Sequence, residues 1–330
     1  MALRLVDKWV WDFWFAKAAE EHHVFYLQAP RALARPALRH HHASIGHAVS
    51  RDLRTWRVLA DALEPGPSGS WDDLATWTGS VLEHDGRWYM LYTGISRREQ
   101  GLIQRIGLAI SDDLVSWSKH PGNPVLEADP RWYDLLDLRR WRDQSWRDPW
   151  LFRHPADGSL HCLITARSSL GTADGAGVVA HARSLDMIDW EVLPPVTTPG
   201  DFAQVEVPQL VRMHGRYVIL VSCQAEDHSR ARIERLGGAA AQTGTFVFAS
   251  DGLFGDYECP NGPIANPDGP LGPLYAGKLL EREAGTWEFM AFRGDGDHDF
   301  LGELTDPLAV VCDAEGQLAV CPATAAGAER

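Results

Sequence analysis

Apolar and polar residues alternate along this chain in short runs bounded by Gly, Pro and charged turns, and the period of an amphipathic helix is nearly absent. Five runs rich in aromatic and β-branched residues, at 9–15, 77–83, 146–152, 205–212 and 274–280, read as strands. Each precedes another such run, at 23–29, 87–93, 160–166, 216–223 and 286–293. A third set at 45–49, 106–110, 178–182 and 244–249 leads into a recurring turn, S-x-D-[LM]-x-x-W, at 50–56, 111–117 and 184–190. A degenerate copy follows at 250–257, and residues 302–308 stand where a fifth is due. A unit of roughly sixty to seventy residues repeated five times is the signature of a radial array. With a last strand after each turn, the pattern predicts an all-β fold, a five-bladed β-propeller with four antiparallel strands per blade. A pair of β-sandwiches is the structural alternative. The propeller is expected over residues 1–318, with 319–330 as an Ala-rich tail and no C-terminal β-sandwich.

Composition narrows the partners. The 330 residues are 45% hydrophobic and carry a formal charge of −14, which disfavours nucleic acid and anionic membranes. No apolar run is long enough for a membrane helix, and the N-terminal residues lack the apolar stretch of a signal peptide. Five widely spaced cysteines without a C-x-x-C pair suggest reduced thiols and a cytoplasmic protein. Fourteen tryptophans are a large number, and this side chain suits the boundary between an apolar wall and a polar ligand. A small neutral partner is expected, and no cofactor or metal. The histidines at 40–42 read as a solvated loop, and the acidic run at 295–299 as a turn rather than a calcium loop.

The first strand of each blade lines a propeller's axis, so its polar residues meet those of the other blades. Asp12, Asp148 and Glu206 lie within three of these apolar strands. Buried acids cost several kcal/mol unless they are paired or used in chemistry. Two carboxyls flanking one bond are what glycoside cleavage requires, one protonating the leaving oxygen and the other attacking the anomeric carbon or activating water.

The motifs resemble those of the invertase and β-fructosidase family. GHAVSRDLRTW at 46–56 is similar to that family's first-blade end, and HVFYLQ at 23–28 to its second strand with Gln28. W-T-G-S at 77–80, R-D-P at 147–149 and V-E-V-P at 205–208 look like its W-S-G-S, R-D-P and E-C-P segments. V-W-D-x-W at 10–14 departs from the invertase W-x-N-D-P-N-G and is closer to the V-W-D-S-W of levansucrases. The resemblance spans residues 9 to about 308. It implies Asp12 as nucleophile, Glu206 as general acid/base, and Asp148 with Arg147 holding fructosyl hydroxyls, with retention of configuration. Trp11, Trp14, Gln28, Trp77, Ser80 and Tyr275 join Arg147 as expected sugar contacts. Trp14 is expected in the pocket because it shares the strand parity of Asp12. The bulk of Trp11, Phe13, Trp14 and Phe15 predicts a narrow funnel and exo action on a terminal furanosyl unit. An inverting pentosidase on the same propeller and a non-catalytic sugar-binding propeller are the alternatives; retention requires carboxyls about 5–5.5 Å apart, inversion about 6.5–9.5 Å.

Overall fold

The alternating runs become strands because each can bury one face against the next blade. The computed structural model describes residues 2–259, 262–283, 285–294, 300–312 and 317–321. Blade I comprises Lys8–Ala18, Glu21–Pro30, Ser44–Ser50 and Arg57–Val58. Blade II comprises Ala75–His84, Arg87–Ile95, Gln104–Ser111 and Ser118–Lys119, and blade III Trp146–Arg153, Leu160–Arg167, Gly177–Ser184 and Trp190–Leu193. Blade IV comprises Glu206–Met213, Arg216–Cys223 and Gly244–Ser250, and blade V Leu274–Glu283, Thr286–Arg293, Leu308–Cys312 and Leu318–Cys321. All pairings within the blades are antiparallel, in meander order from the axis outward. The fold is the expected five-bladed propeller, with two local corrections. Blade IV has three strands among the described residues, its fourth position reduced to a single bridge between Ala249 and Glu258. In blade V, Leu318–Cys321 is the outermost strand, so residues 319–321 belong to the propeller rather than to a tail. The expected turn at 302–308 precedes the third strand of that blade instead of following it. The acidic run at 295–299 lies outside the described residues.

The recurring turn has a physical cause. The Ser50 hydroxyl accepts from the backbone N–H of Asp52 and Leu53, and Asp52 Oδ1 accepts from those of Arg54 and Thr55. Ser184 and Asp186 repeat all four bonds, and Asp113 repeats its two. Leu53, Leu114 and Met187 adopt the left-handed conformation and are buried, pinning the turn to the core. The indole N–H of Trp117 and Trp190 donates to the carbonyl of Leu114 and Met187. In the degenerate fourth copy, the hydroxyl of Tyr257 donates to Leu253 O and so replaces the indole.

Backbone bonds also close the ring. Val10 N donates to Gly302 O (3.1 Å), and Leu304 N to Leu3 O (3.1 Å), joining blade V to blade I. Buried apolar side chains fill the spaces between blades, among them Trp14, Phe25, Trp146 and Phe246.

Candidate active site at the propeller axis

Each axial strand carries an irregularity of register at the same level, and that of blade V a second one between Glu281 and Glu283. In blades I and II the shifts fall between Trp11 and Phe13 and between Trp77 and Gly79. In the others they follow Arg147, Glu206 and Tyr275. A bulge breaks strict alternation and sends two successive side chains to similar sides. Five bulges at one level therefore build two rings: Trp11, Trp77, Arg147, Glu206 and Tyr275 at the first position, and Asp12, Thr78, Asp148, Val207 and Ala276 at the second. Asp148, Val207 and Ala276 all have φ near +50°, which is unfavourable for a residue bearing a Cβ. Each of these strained amides finds a hydroxyl acceptor on the second strand of the preceding blade: Thr93 for Asp148, Thr165 for Val207 and Ser222 for Ala276.

The rings surround a cavity of about 470 Å³. Asp12, Asp148, Glu206, Trp11, Trp77, Arg147 and Tyr275 all line it, as the sequence predicts. Trp14, Gln28 and Ser80 do not, and for these the sequence expectation is corrected. The bulge at Asp12 resets the parity, so Trp14 is buried between blades, stacked on Phe25 at 6.1 Å. Gln28 is buried over Gly46 and donates to the Ser44 hydroxyl (3.2 Å). The Ser80 hydroxyl accepts from Leu151 N (2.8 Å), stitching blade II to blade III. Phe13 is likewise a core residue rather than a funnel wall. A wider surface depression of about 890 Å³ beside Arg183 and Trp190 lies apart from the three carboxylates.

Glu206 is held from three sides. Arg147 Nη2 donates to Oε1 at 2.6 Å, Gln204 Nε2 to the same oxygen at 2.5 Å, and the Tyr275 hydroxyl to Oε2 at 2.6 Å. Arg147 also donates to Gln104 Oε1 and places its Nε 3.6 Å from Asp148 Oδ2. Asp148 Oδ2 accepts from the Thr165 hydroxyl (2.9 Å) and Val207 N (3.1 Å), while Asp12 Oδ2 accepts from the Thr78 hydroxyl (2.9 Å). Burial pushes the Asp12 carboxyl up to about 7, helped by the negative charges of Asp148 and Glu206. Burial also raises Asp148, against the pull of Arg147. At Glu206 burial works in the same direction, but Arg147 and the Tyr275 hydroxyl outweigh it and hold the carboxyl below its ordinary value. A proton in the sugar-free funnel therefore rests on Asp12 in preference to Glu206.

Several lining residues escape sequence reasoning. Gln104 comes from the third strand of blade II, and Gln204, Gln224 and Asp227 come from loops with no motif. Arg142 donates to Gln204 Oε1 (3.2 Å), lies over Trp141 (4.5 Å) and reaches Asp227 Oδ1 (3.8 Å). The long loop rich in Trp, Arg and Asp was the available signal for this rim. The histidines at 40–42 are not simply a solvated loop. They end a 3-10 turn, Pro36–His42; His40 and His41 line the cavity, and the Trp77 indole donates to His40 O (2.7 Å).

Fold and site together define a five-bladed propeller with an acidic funnel on its axis, an architecture that serves glycoside chemistry. The family model for the glycosyl hydrolases family 32 N-terminal domain matches residues 14–257, and the chain belongs to that family. It is 27% identical over 261 residues to the sucrose-6-phosphate hydrolase of Bacillus subtilis, covering 77% of this chain and 49% of that protein. It is 24% identical over 363 residues to an extracellular sucrase of Zymomonas mobilis, covering 95% and 81%. The chain thus spans about half the length of the Bacillus relative. Inulosucrase from Halalkalicoccus jeotgali bound to kestose shares the fold, with a TM-score of 0.77, 23% identity and coverage of 96% and 87%.

Proposed function

We propose that this protein is a retaining hydrolase or transglycosylase of terminal β-fructofuranosides, sucrose or short fructo-oligosaccharides. The observation that carries the reading is the meeting of Asp12, Asp148 and Glu206, from three blades, in one cavity, with Arg147 bridging the last two. Relatives named as sucrose-cleaving enzymes and fructosyltransferases support the substrate class.

In this reading the Asp12 carboxylate attacks the anomeric carbon as the bond to the leaving sugar breaks, and Glu206 gives its proton to the departing oxygen. Glu206 then takes a proton from water, or from an acceptor sugar, whose oxygen displaces Asp12. That sequence needs the shared proton on Glu206 and the charge on Asp12. Furanosyl hydroxyls that engage Asp148 and Arg147 draw the guanidinium away from Glu206, and the proton moves there as the sugar seats. Trp11 and Trp77 form walls for the apolar face of the ring. Exo action on one terminal furanosyl unit is part of this reading. A small-molecule sugar is the proposed partner. A cytoplasmic location is supported by widely spaced cysteines without a C-x-x-C pair, Cys162 and Cys223 being buried.

Incubation with sucrose, inulobiose, levanbiose and aryl pentofuranosides in the presence of methanol tests the proposal. The expected product is the methyl β-fructofuranoside, identified by NMR. An inverted anomer would move the chain to the inverting alternative, and no turnover of any substrate would leave a sugar-binding propeller.

A further inference from the structure

Three residues beyond the first bulge position, each axial strand presents a further register-equivalent residue: Trp14, Ser80, Trp150, Gln209 and Lys278. Lys278 is the charged member of this ring and is 2% exposed. An ammonium removed from water costs several kcal/mol unless something at the site repays it. Its Nζ donates to Val207 O at 2.9 Å and lies 5.7 Å from the centroid of the Trp150 ring. The N–H of Val207 donates to Asp148 Oδ2, and Val207 follows Glu206 directly in the chain. One strained residue, Val207 with φ of 54°, thus links Asp148, through its N–H, to Lys278, through its carbonyl, and follows Glu206 in the chain. Burial brings the Lys278 ammonium down to about 7, while the charges of Asp12 and Asp148 pull it up, so its positive form is favoured as those acids ionise.

We propose that Lys278 is a positioning residue: from beneath the carboxylates it supplies the second positive charge of the funnel and fixes the Val207 peptide that sets Glu206 and Asp148 against Asp12. This rests on the proposed function for its catalytic consequence. The groups that act on Asp12 are the Thr78 hydroxyl from blade II, Asp148 from blade III, Glu206 from blade IV and Lys278 from blade V. Arg147 pairs with Glu206 and Asp148, and Lys278 is the cation whose charge acts on Asp12. Attack requires Asp12 ionised, and a neighbouring positive charge favours that form.

The test compares Lys278→Met, which loses charge and hydrogen bond, with Lys278→Gln, which loses the charge but retains a donor, and Lys278→Arg, which retains the charge. The acid limb of the pH profile of kcat, which Asp12 sets once the sugar is seated and the proton is on Glu206, should move upward by about one unit in the Met and Gln variants, with kcat reduced at least tenfold and KM little changed. In Lys278→Arg the limb should stay near that of the parent. Carboxyl NMR of Asp12, assigned by its absence in Asp12→Asn, should show the same upward titration in the neutral variants without any substrate. That measurement separates the two readings. If no fructoside is turned over, the proposed function fails while the titration still decides the role of Lys278. Unmoved titration and an unmoved acid limb in folded neutral variants overturn the proposal. Failure of both neutral variants to fold, with Lys278→Arg folded, overturns it in favour of a purely structural charge.

Discussion

Arg147 holds Glu206 and Asp148 at once, with Nη2 2.6 Å from Glu206 Oε1 and Nε 3.6 Å from Asp148 Oδ2. One cation therefore sets the proton affinity of the proposed acid/base and the orientation of the proposed hydroxyl clamp. Replacement by Met should cost about a hundredfold or more in kcat/KM. Because Arg147 lowers the Glu206 pKa, its loss lets the acid form persist, so the alkaline limb of the kcat profile, set by Glu206 once the sugar is seated, should move upward. A rate measurement from pH 5 to 9 checks both, and an unmoved alkaline limb would separate Arg147 from the ionisation of Glu206.

Asp12→Asn should abolish turnover and yet stabilise the fold at alkaline pH. The folded carboxyl titrates near 7, against 3.8 unperturbed, chiefly because burial disfavours its charge. Its folded pKa is raised, so between 3.8 and about 7 the folded state binds the extra proton and stability falls as pH rises through that window. The amide removes this loss. At pH 8 the variant should melt roughly 2–5 °C above the parent, with the gap closing near pH 4. Calorimetry at the two pH values gives the answer, and equal melting at pH 8 would contradict the electrostatic account.

Exo action on a terminal unit is the proposed mode. With an inulin-type fructan, chromatography should show fructose as the sole early product, and mixed oligosaccharides at early times would exclude the mode. Trp77→Ala removes a cavity wall braced by His40 O and should raise KM about tenfold with a smaller effect on kcat.

Two stacked histidine pairs, His23 with His47 and His161 with His181, sit at corresponding places in blades I and III, with ring nitrogens 3.0 and 2.7 Å apart. Burial pushes His47 and His181 down to about 3 and His161 to about 4. The unfolded histidines protonate near 6.5, so the unfolded state binds more protons below that value. Stability present above pH 6.5 should therefore be lost progressively down to pH 4. His181→Gln should flatten the fall in Tm over this interval, and an unchanged slope would show that the pair does not drive it.

The recurring S-x-D-[LM] turn was readable because its bonds are local: Ser50 and Asp52 bond the backbone within three residues. The aromatic runs were readable because strand alternation is a local property too, and five repeats of the paired runs, with the turn marking the first four, determine a propeller. The acids were equally visible as charges placed in apolar strands. Tertiary structure decided which neighbours of those acids face the sugar. The bulge at Asp12 is a mismatch between two paired strands, and no single strand's sequence records it; it sends Trp14 to the core and leaves Trp11 in the funnel. Ser80 and Gln28 lie in segments resembling sugar-binding motifs, but their hydrogen bonds to Leu151 and Ser44 are settled by blade packing. The same holds for Gln104, Arg142 and Lys278, which carry no motif. They reach the axis through contacts between residues distant in the chain, because a propeller places equivalent levels of separate blades side by side.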